Sequence, residues 1–521
     1  MSGAKSQGFR QSMAALHTWV GLLPGWLLFL IFLFGTTAYF QQEISRWMRP
    51  EMSASASSRS PSFPTLAAAD TLLRDRATGA QEWNLSLPAR GGQVVRVSWE
   101  GGEAAEGKAT LDPATGRAIT VRETQGGNFL YRFHYDLYAM PRIWARSLVS
   151  IAALAMLVAI LSGVVTHKKI FADFFTLRFW KGQRSWLDSH NVTAVLALPF
   201  HLMITYAGLA ALLFTIMPWA LDAQFPARKA FNAAAYPDAP EFPASGRTGA
   251  MLPLPVLAEK AEALWGGGHL GGLSIDHPGD ANATASAYAL RDRLGRPSPR
   301  LILSATDGRL LYRAATEGGA RATQDVMILL HLGTFAETGL RWLYFVSGAL
   351  GTAMVGTGLV LWTVKRRQRL PDPARPHFGF RLVERLNIAM MVGPVAGIAA
   401  YFLANRLLPL GVALRDEWEI DCLFLVWGGV VAWSLARPAA RAWIEMLAVS
   451  AALYALVPLV NSLTTTRGLV PSLSAGDWVF VGFDLMMFVA AGLLAFAAWR
   501  LAARKAKAPP RRTRTGTEIM A

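Results

Sequence analysis

The chain has 521 residues, of which 53% are hydrophobic and only 17% are charged, and its formal net charge is +16. Soluble chains normally carry about 25% charged residues, so this composition argues against an ordinary soluble protein and predicts a membrane protein. The basic residues collect in short loops beside apolar blocks, which is typical of cytoplasmic anchoring and excludes a nucleic-acid-binding face. A single cysteine, Cys422, excludes an intramolecular disulfide, a cysteine-held iron–sulfur cluster and a covalent CxxCH haem attachment.

Eight apolar blocks are long enough to cross a hydrocarbon core of about 30 Å, so we expect a lipid bilayer around them. They lie at approximately 17–40, 147–166, 191–217, 342–364, 386–405, 420–436, 443–461 and 478–502. If every block crosses, the basic loops and the basic tail share one side, which predicts that both termini are cytoplasmic. The first block could instead be a cleaved signal peptide, but it is long for one and lacks an obvious small-residue cleavage site.

Two soluble segments, 50–130 and 222–325, are then expected on the extracytoplasmic side. Each begins with a helical pattern after a proline and continues with alternating strands and an Asp/Gly turn, "LDPATGRAI" at 111–119 and "LSATDGRLL" at 303–311. The fold class predicted is an all-α polytopic membrane protein of about eight transmembrane helices with two small α+β domains. The other segments are 1–49 (first span), 131–221 (spans two and three with a basic loop), 326–370 (span four), 380–505 (a C-terminal four-span module) and 506–521 (a basic cytoplasmic tail).

Histidines and glycines recur at matched spacing, which indicates an internal repeat. The spacings are 18 residues from His17 to Gly35 and from His190 to Gly208, 29 from His134 to Gly163, and 27 from His331 to Gly358. The repeated unit is therefore a span, a soluble segment and a second span, with a histidine at or just before the start of each span. The C-terminal module contains no histidine.

The topology places His17 and His190 at the cytoplasmic ends of spans one and three, and His134 and His331 near the outer ends of spans two and four. Ionisable groups at membrane depth are costly and usually functional. Two neutral imidazoles facing each other across a bundle are the axial ligands of a b-type haem. One pair near each membrane face therefore predicts two haems and an electron path across the membrane.

Two further histidines leave the ligand assignment open. His201 follows His190 by 11 residues, about three helical turns, so both point the same way. The outer haem could thus be bound by His201 together with His331 or His134, and the number of haems could be one. His167 lies beside basic residues and is a weaker candidate for an inner ligand. Each histidine taken alone could also be an ordinary interfacial residue, and no catalytic residue is identified.

Three long segments carry a family resemblance: "LHTWVGLLPGWLLFLIFLFGTTAYF" at 16–40, "HKKIFADFFTLRFWKGQRSWLDSHN" at 167–191 and "LPFHLMITYAGL" at 198–209. They resemble the PepSY-associated transmembrane proteins, which include the PiuB-like and FoxB-like iron-regulated membrane proteins of Gram-negative bacteria. The likeness covers about 1–370. It implies PepSY-type soluble domains, a bacterial inner-membrane location and di-haem reduction of ferric siderophores on the periplasmic side. The motif histidines that it carries over are His17, His134, His167, His190, His201 and His331.

The function expected is that of a haem-dependent oxidoreductase, a ferric-siderophore reductase with two haem b groups. Its substrate would be held between the two soluble domains, and Arg142, Arg146 and Arg341 would pair with haem propionates. No flavin or nicotinamide motif is present, so a quinol or a cytoplasmic protein would supply electrons. The alternatives are a siderophore or iron transporter without redox activity, and a non-enzymatic protein that binds a periplasmic peptidase.

Overall fold

The structure is a computed structural model that describes residues 8–52, 63–87, 94–103, 106–113, 115–167, 177–178, 181–226, 229–231, 239–266, 270–290, 299–314 and 319–506. In chain order, its helices are α1 (Phe9–Leu22), α2 (Gly25–Ala38), α3 (Gln41–Trp47), α4 (Phe63–Arg76), α5 (Gly126–Asp136), α6 (Arg142–Thr166), α7 (Gln183–Leu196), α8 (Leu198–Ala211), α9 (Leu213–Ile216), α10 (Pro218–Asp222), α11 (Leu254–Leu264), α12 (Gly319–Leu332), α13 (Thr338–Arg367), α14 (Phe378–Leu407), α15 (Arg415–Ala436), α16 (Ala439–Thr464), α17 (Leu469–Ser474) and α18 (Trp478–Ala506). The strands are β1 (Glu82–Ser86), β2 (Val95–Glu100), β3 (Gly107–Leu111), β4 (Leu270–Asp276), β5 (Thr284–Ala289), β6 (Leu301–Ser304) and β7 (Leu310–Arg313).

Six of the helices, α6, α13, α14, α15, α16 and α18, are long and apolar enough to cross a membrane. Two further spans are bent: α1 and α2 meet at 63°, and α7 and α8 meet at 68°. Both breaks lie beside a proline, Pro24 and Pro199, whose missing backbone N–H removes a helical hydrogen bond. With each bent pair counted as one span, the part of the chain that the structure describes holds eight candidate spans, and the predicted polytopic architecture is confirmed.

The strands form one seven-stranded antiparallel sheet in the order β3-β2-β1-β4-β5-β6-β7. The first three strands come from the first soluble segment and the last four from the second. They join where β1 pairs with β4, with Trp83 opposite Ile275 and Leu85 opposite Leu273. The helices α4 and α11 cover the face on which these apolar side chains lie.

This joined sheet corrects the expectation of two separate soluble domains. Each segment does place a helix on antiparallel strands, but neither forms a closed unit. If the segments were separate, β1 and β4 would each leave a row of unpaired backbone groups at an exposed sheet edge. Pairing the two edges satisfies those groups and buries one continuous core, so the two segments are two halves of one domain.

The predicted turns close hairpins in both halves. In the first, Leu111 forms a bridge with Ala118 and the amide of Asp112 donates to the carbonyl of Arg117 at 2.9 Å. In the second, β6 pairs with β7 and the amide of Ser304 donates to Arg309 O at 2.8 Å. A glycine with positive φ lies in each turn, Gly116 at 68° and Gly308 at 75°, as a tight turn requires.

The predicted C-terminal module corresponds in the structure to the helices α14–α18, residues 378–506, which pack together. This range is termed the C-terminal module from here on. Within it, α14 packs on α15 and α16, and α16 packs on α18. The module also contacts the first repeat, because α14 lies against α2 and α18 lies against α3. One apolar core therefore includes Phe34 and Trp47 of the first repeat together with Phe402 and Phe480 of the module.

Candidate functional site

Four histidines from separate helices meet as two facing pairs. The ring centroids of His17 and His190 are 6.2 Å apart, and those of His134 and His331 are 5.9 Å apart. His17 and His190 lie on α1 and α7, at the end of the bundle where α6 is joined to α7, and are termed the loop-side pair. His134 and His331 lie on α5 and α12, which follow the strands, and are termed the domain-side pair. These are the pairs that the sequence repeat predicts; their role as ligands remains a prediction.

Each of the four rings is held by a hydrogen bond from Nδ1 to a main-chain carbonyl oxygen of the helix that it faces. The acceptors are Ala159 O for His17 at 2.9 Å, Met354 O for His190 at 2.8 Å, Ile31 O for His134 at 2.7 Å and Ile204 O for His331 at 2.9 Å. A carbonyl oxygen can only accept, so Nδ1 carries the proton and a neutral ring has its lone pair on Nε2. An imidazole that binds a metal through one nitrogen is commonly oriented in this way through the other.

Every acceptor carbonyl lies four residues before a glycine, and the glycine lets the ring approach. In a helix the Cβ atom points toward the N-terminus and covers the preceding turn, where that carbonyl lies. An added Cβ would lie within a short distance of Cε1 of the ring: 2.6 Å for Gly35 and His134, 2.7 Å for Gly208 and His331, 3.2 Å for Gly163 and His17, and 3.1 Å for Gly358 and His190. The domain-side rings therefore lie closer to their glycines than the loop-side rings do.

These contacts are reciprocal within each repeat. In the first, His17 of span one rests on Gly163 of span two, and His134, just before span two, rests on Gly35 of span one. In the second repeat, the same reciprocal contact between a histidine and a glycine joins spans three and four. The histidines and glycines that recur in the sequence thus contact each other. Sequence reasoning found the recurrence but missed the carbonyl acceptors, whose signal is their position four residues before each glycine.

The separation of the facing rings fits a metal ion between them. Two metal–imidazole bonds of about 2.0 Å each place the nitrogens about 4 Å apart and the ring centroids about 6 Å apart. Within the described ranges, no group of three or more His, Cys, Asp or Glu side chains could hold a metal ion. A haem would bring four further nitrogen ligands from its porphyrin.

The domain-side pair lines a cavity of about 600 Å³. That volume lies within the range of about 300–1,000 Å³ that is usual for cofactor and small-molecule sites. The two glycines of this pair, Gly35 and Gly208, open into the same space. The apolar part of the wall includes Leu28, Ile31, Phe32, Met156, Phe200 and Leu332, and the polar part includes Tyr39, Gln42, Tyr131, Arg146 and Arg341.

Two of the three predicted arginines reach this cavity. Arg146 lies 2.7 Å from Asp136, and Arg341 lies 2.6 Å from Glu43. The Nε atom of Arg341 is buried and has no hydrogen-bond partner among the described residues. The third, Arg142, is exposed and does not line the cavity.

His201 belongs to neither pair. Its ring is fully buried on α8, with Nε2 3.2 Å from Ser347 O and with Phe32 and Phe200 beside it. Its Nδ1 atom has no hydrogen-bond partner in the described part of the chain. The structure pairs His331 with His134, so the alternative that joins His201 to one of them is not the observed arrangement.

His167 lies at the C-terminal end of α6, beside the loop-side pair. Its Nε2 atom lies 2.9 Å from the side-chain amide nitrogen of Asn191, the residue that follows His190. The amide donates this bond, so Nε2 of His167 is an acceptor that is already engaged. His167 is thus a neighbour of the pair and not one of its two facing rings.

The family described as the PepSY-associated TM region matches residues 14–365. The match covers more than half of the chain and contains both repeats and all four paired histidines. The chain belongs to this PepSY-associated family. The matched region ends near the end of α13, so the C-terminal module lies outside it.

A relative of known sequence extends this comparison. The chain is similar to the "Uncharacterized protein PA4219" of Pseudomonas aeruginosa, with 27% identity over 394 residues, which cover 70% of this chain and 92% of that protein. That name states no activity.

Proposed function

We propose that the chain is a di-haem b-type reductase of the bacterial inner membrane that passes electrons to the iron of a ferric siderophore in the periplasm. The observation that carries this proposal is the presence of two facing histidine pairs, with Nδ1 of all four rings bonded to main-chain carbonyls. Two imidazoles in this tautomer form the axial ligand set of a b-type haem.

The chain's own part is to hold and orient these ligands. The carbonyl that accepts from each ring belongs to a different helix from the ring itself. The packing of the two helices therefore sets the direction of the ring. The two histidine pairs would hold the haem groups, which would supply one-electron transfer chemistry. A pair at each end of the bundle supports electron transfer between its two sides.

The domain-side cavity suits a haem in two further respects. Its walls are largely apolar, as the porphyrin faces require. Arg146 and Arg341 lie on the polar part of the wall, where propionate carboxylates would accept charge-assisted hydrogen bonds.

We assign the loop side to the cytoplasm and the domain side to the periplasm, with both termini cytoplasmic. Lys365, Arg366 and Arg367 end α13, and Arg437 and Arg441 flank the turn between α15 and α16, all at the loop side. An excess of Lys and Arg in short loops marks the cytoplasmic side of bacterial inner-membrane proteins. The sheet, with its two halves as PepSY-type units, then lies in the periplasm.

We place the ferric substrate at the domain-side end of the bundle. The sequence led us to expect the substrate between the two soluble segments. Because β1 pairs with β4, the gap between these segments is closed, and the domain-side end of the bundle replaces it as the proposed site. Leu290 follows β5 and lines the cavity, so the end of this strand reaches the cavity that the domain-side pair also lines. This contact brings a substrate on the sheet domain near the proposed exit point for electrons.

Reduction explains how the iron is released. Hard oxygen ligands that hold Fe(III) tightly hold Fe(II) less well, so one electron per iron frees Fe(II) for uptake. The electron would come from a quinol or a cytoplasmic protein, because the sequence has no flavin or nicotinamide motif.

Anaerobic mixing tests this function. The purified haem-loaded protein is reduced, freed of excess reductant and mixed with a ferric hydroxamate siderophore, while the haem α-band and ferrozine-trapped Fe(II) are followed together. We expect one Fe(II) for each haem reoxidised, and no reoxidation by the matched gallium(III) complex. Haem that stays reduced in the presence of the ferric complex would contradict the proposal.

A further inference from the structure

We infer that the C-terminal module fixes the helix that carries His134, so that His134 is the anchored ligand of the domain-side site and His331 the displaceable one. The inference rests on the proposed function, because it concerns haem held by this pair. It gives a role to residues 378–506, which lie outside the family match.

Aromatic packing ties α5 to the module. Phe129 and Phe133 are buried on α5, and Phe133 immediately precedes His134. The ring of Phe129 lies 5.4 Å from that of Tyr401, and the ring of Phe133 lies 6.4 Å from that of Trp427. Phe129 and Phe133 therefore belong to the apolar core that the first repeat and the C-terminal module share.

Buried hydrogen bonds hold the beginning of α5 to the same module. The hydroxyl of Tyr401 donates to Gly126 O at 2.9 Å, and the hydroxyl of Thr124 donates to a Glu419 carboxylate oxygen at 2.5 Å. Tyr401 and Glu419 are both fully buried. Buried polar groups are costly to leave unpaired, so moving α5 would expose unsatisfied donors and acceptors.

The short helix α3 adds a second link between the module and α5. Arg46 of α3 forms a buried ion pair with Asp477 at 3.0 Å. The amide of Gly127 donates to the hydroxyl of Ser45 at 2.9 Å. A Cβ atom on Gly127 would lie only 2.2 Å from Gln41 O, so α3 and α5 are in direct backbone contact.

In the described part of the chain, the helix of His331 is less deeply buried than α5. Six of the eleven residues of α5 are buried, whereas Leu329 is the one buried residue among the described side chains of α12. Packing of α12 is mainly on α8, through the His331 bond to Ile204 and a bond from Gln324 to Ala210 O. At the domain-side site, α5 is therefore the deeply buried helix and α12 is the less buried one.

Paired histidine variants test the inference. In His331→Ala we expect haem content to stay near that of the unmodified protein, with one haem left on His134 that binds CO when reduced. In His134→Ala we expect loss of the domain-side haem and little CO binding. Equal behaviour of the two variants, or the reverse order, would overturn the inference. An unmodified protein without haem would instead overturn the proposed function.

A module variant tests the mechanism without touching a ligand. Tyr401→Phe removes the hydroxyl that donates to Gly126 but keeps the ring, and Tyr454→Phe is a matched change on α16. We expect Tyr401→Phe to release one haem to apomyoglobin about fivefold faster, the factor for one typical net hydrogen bond. Tyr454→Phe should match the unmodified protein. A release rate in Tyr401→Phe equal to that of Tyr454→Phe would count against the inference.

Discussion

The Nδ1 atom of His134 lies 2.7 Å from the carbonyl oxygen of Ile31, one helical turn before Gly35. The same relation recurs for the other three paired histidines, always with a glycine four residues after the acceptor. A glycine leaves the carbonyl of the preceding turn uncovered, so a ring from another helix can bond to it. The two-helix contact therefore fixes both the tautomer and the direction of the ring.

Gly35→Ala is expected to remove haem from the domain-side site. The added Cβ would lie 2.6 Å from Cε1 of His134, and the ring would have to leave the Ile31 carbonyl to relieve the overlap. Well-packed interiors accommodate even one extra methyl group poorly. We expect haem per chain to fall by about half, measured by pyridine haemochrome against protein.

Two further glycines provide the comparison for that change. Gly21→Ala has no heavy atom within 4 Å of the added Cβ and should retain all haem. Gly163→Ala meets the ring of His17 at 3.2 Å, so we expect a weaker effect confined to the loop-side haem. Full haem retention by Gly35→Ala would refute the role that we give to the glycine.

His201→Phe should keep both haems. The structure places this ring beside Phe32 and Phe200 and outside both pairs, so an aromatic of similar shape can fill its site. We expect an unchanged haem-to-protein ratio and an unchanged low-spin spectrum, whereas His190→Phe should lose one haem. Loss of haem in His201→Phe comparable to that in His190→Phe would make His201 a ligand.

Asp477→Asn should destabilise the protein. Asp477 lies 3.0 Å from Arg46 in a pair that is 2% and 1% exposed, and 3.6 Å from Arg467. Removing one partner leaves buried cationic charge uncompensated, at a cost of about 3–5 kcal/mol. Thermal unfolding in detergent should show a clearly lower Tm. Glu384→Gln, which breaks a pair with the more exposed Arg367, should change the free energy of unfolding by about 0–1 kcal/mol.

Arg341→Gln should lower the midpoint potential of the domain-side haem. A positive charge beside a haem favours the reduced form, and its removal also leaves Glu43 without its partner at 2.6 Å. The shift expected in a potentiometric titration is on the order of tens of millivolts, toward more negative values. Arg142→Gln is the matched control at an exposed position outside the cavity. Equal potentials in Arg341→Gln and Arg142→Gln would contradict the placement of Arg341 at the haem.

The membrane helices and the loop-side histidine pair follow from the sequence because they depend on local apolar length and on an internal repeat. Spacing relates His134 to His331 in the same way, but it also allows His201 as a partner at the outer site. Only the fold shows which two rings face each other there. The joining of β1 to β4 could not be predicted in this way, since it depends on two edges far apart in the chain. The support of α5 by the C-terminal module also depends on distant contacts, such as that of Tyr401 with Gly126, which leave no periodic trace in the sequence.

The proposal that this chain binds two b-type haems is tested most directly by a reduced-minus-oxidised visible spectrum of the detergent-purified chain, with haem quantified against protein. For a di-haem protein we expect a b-type α-band and about two haems per chain. Absence of haem, in cells able to supply it, would contradict the proposed reductase function and leave iron transport as the better interpretation.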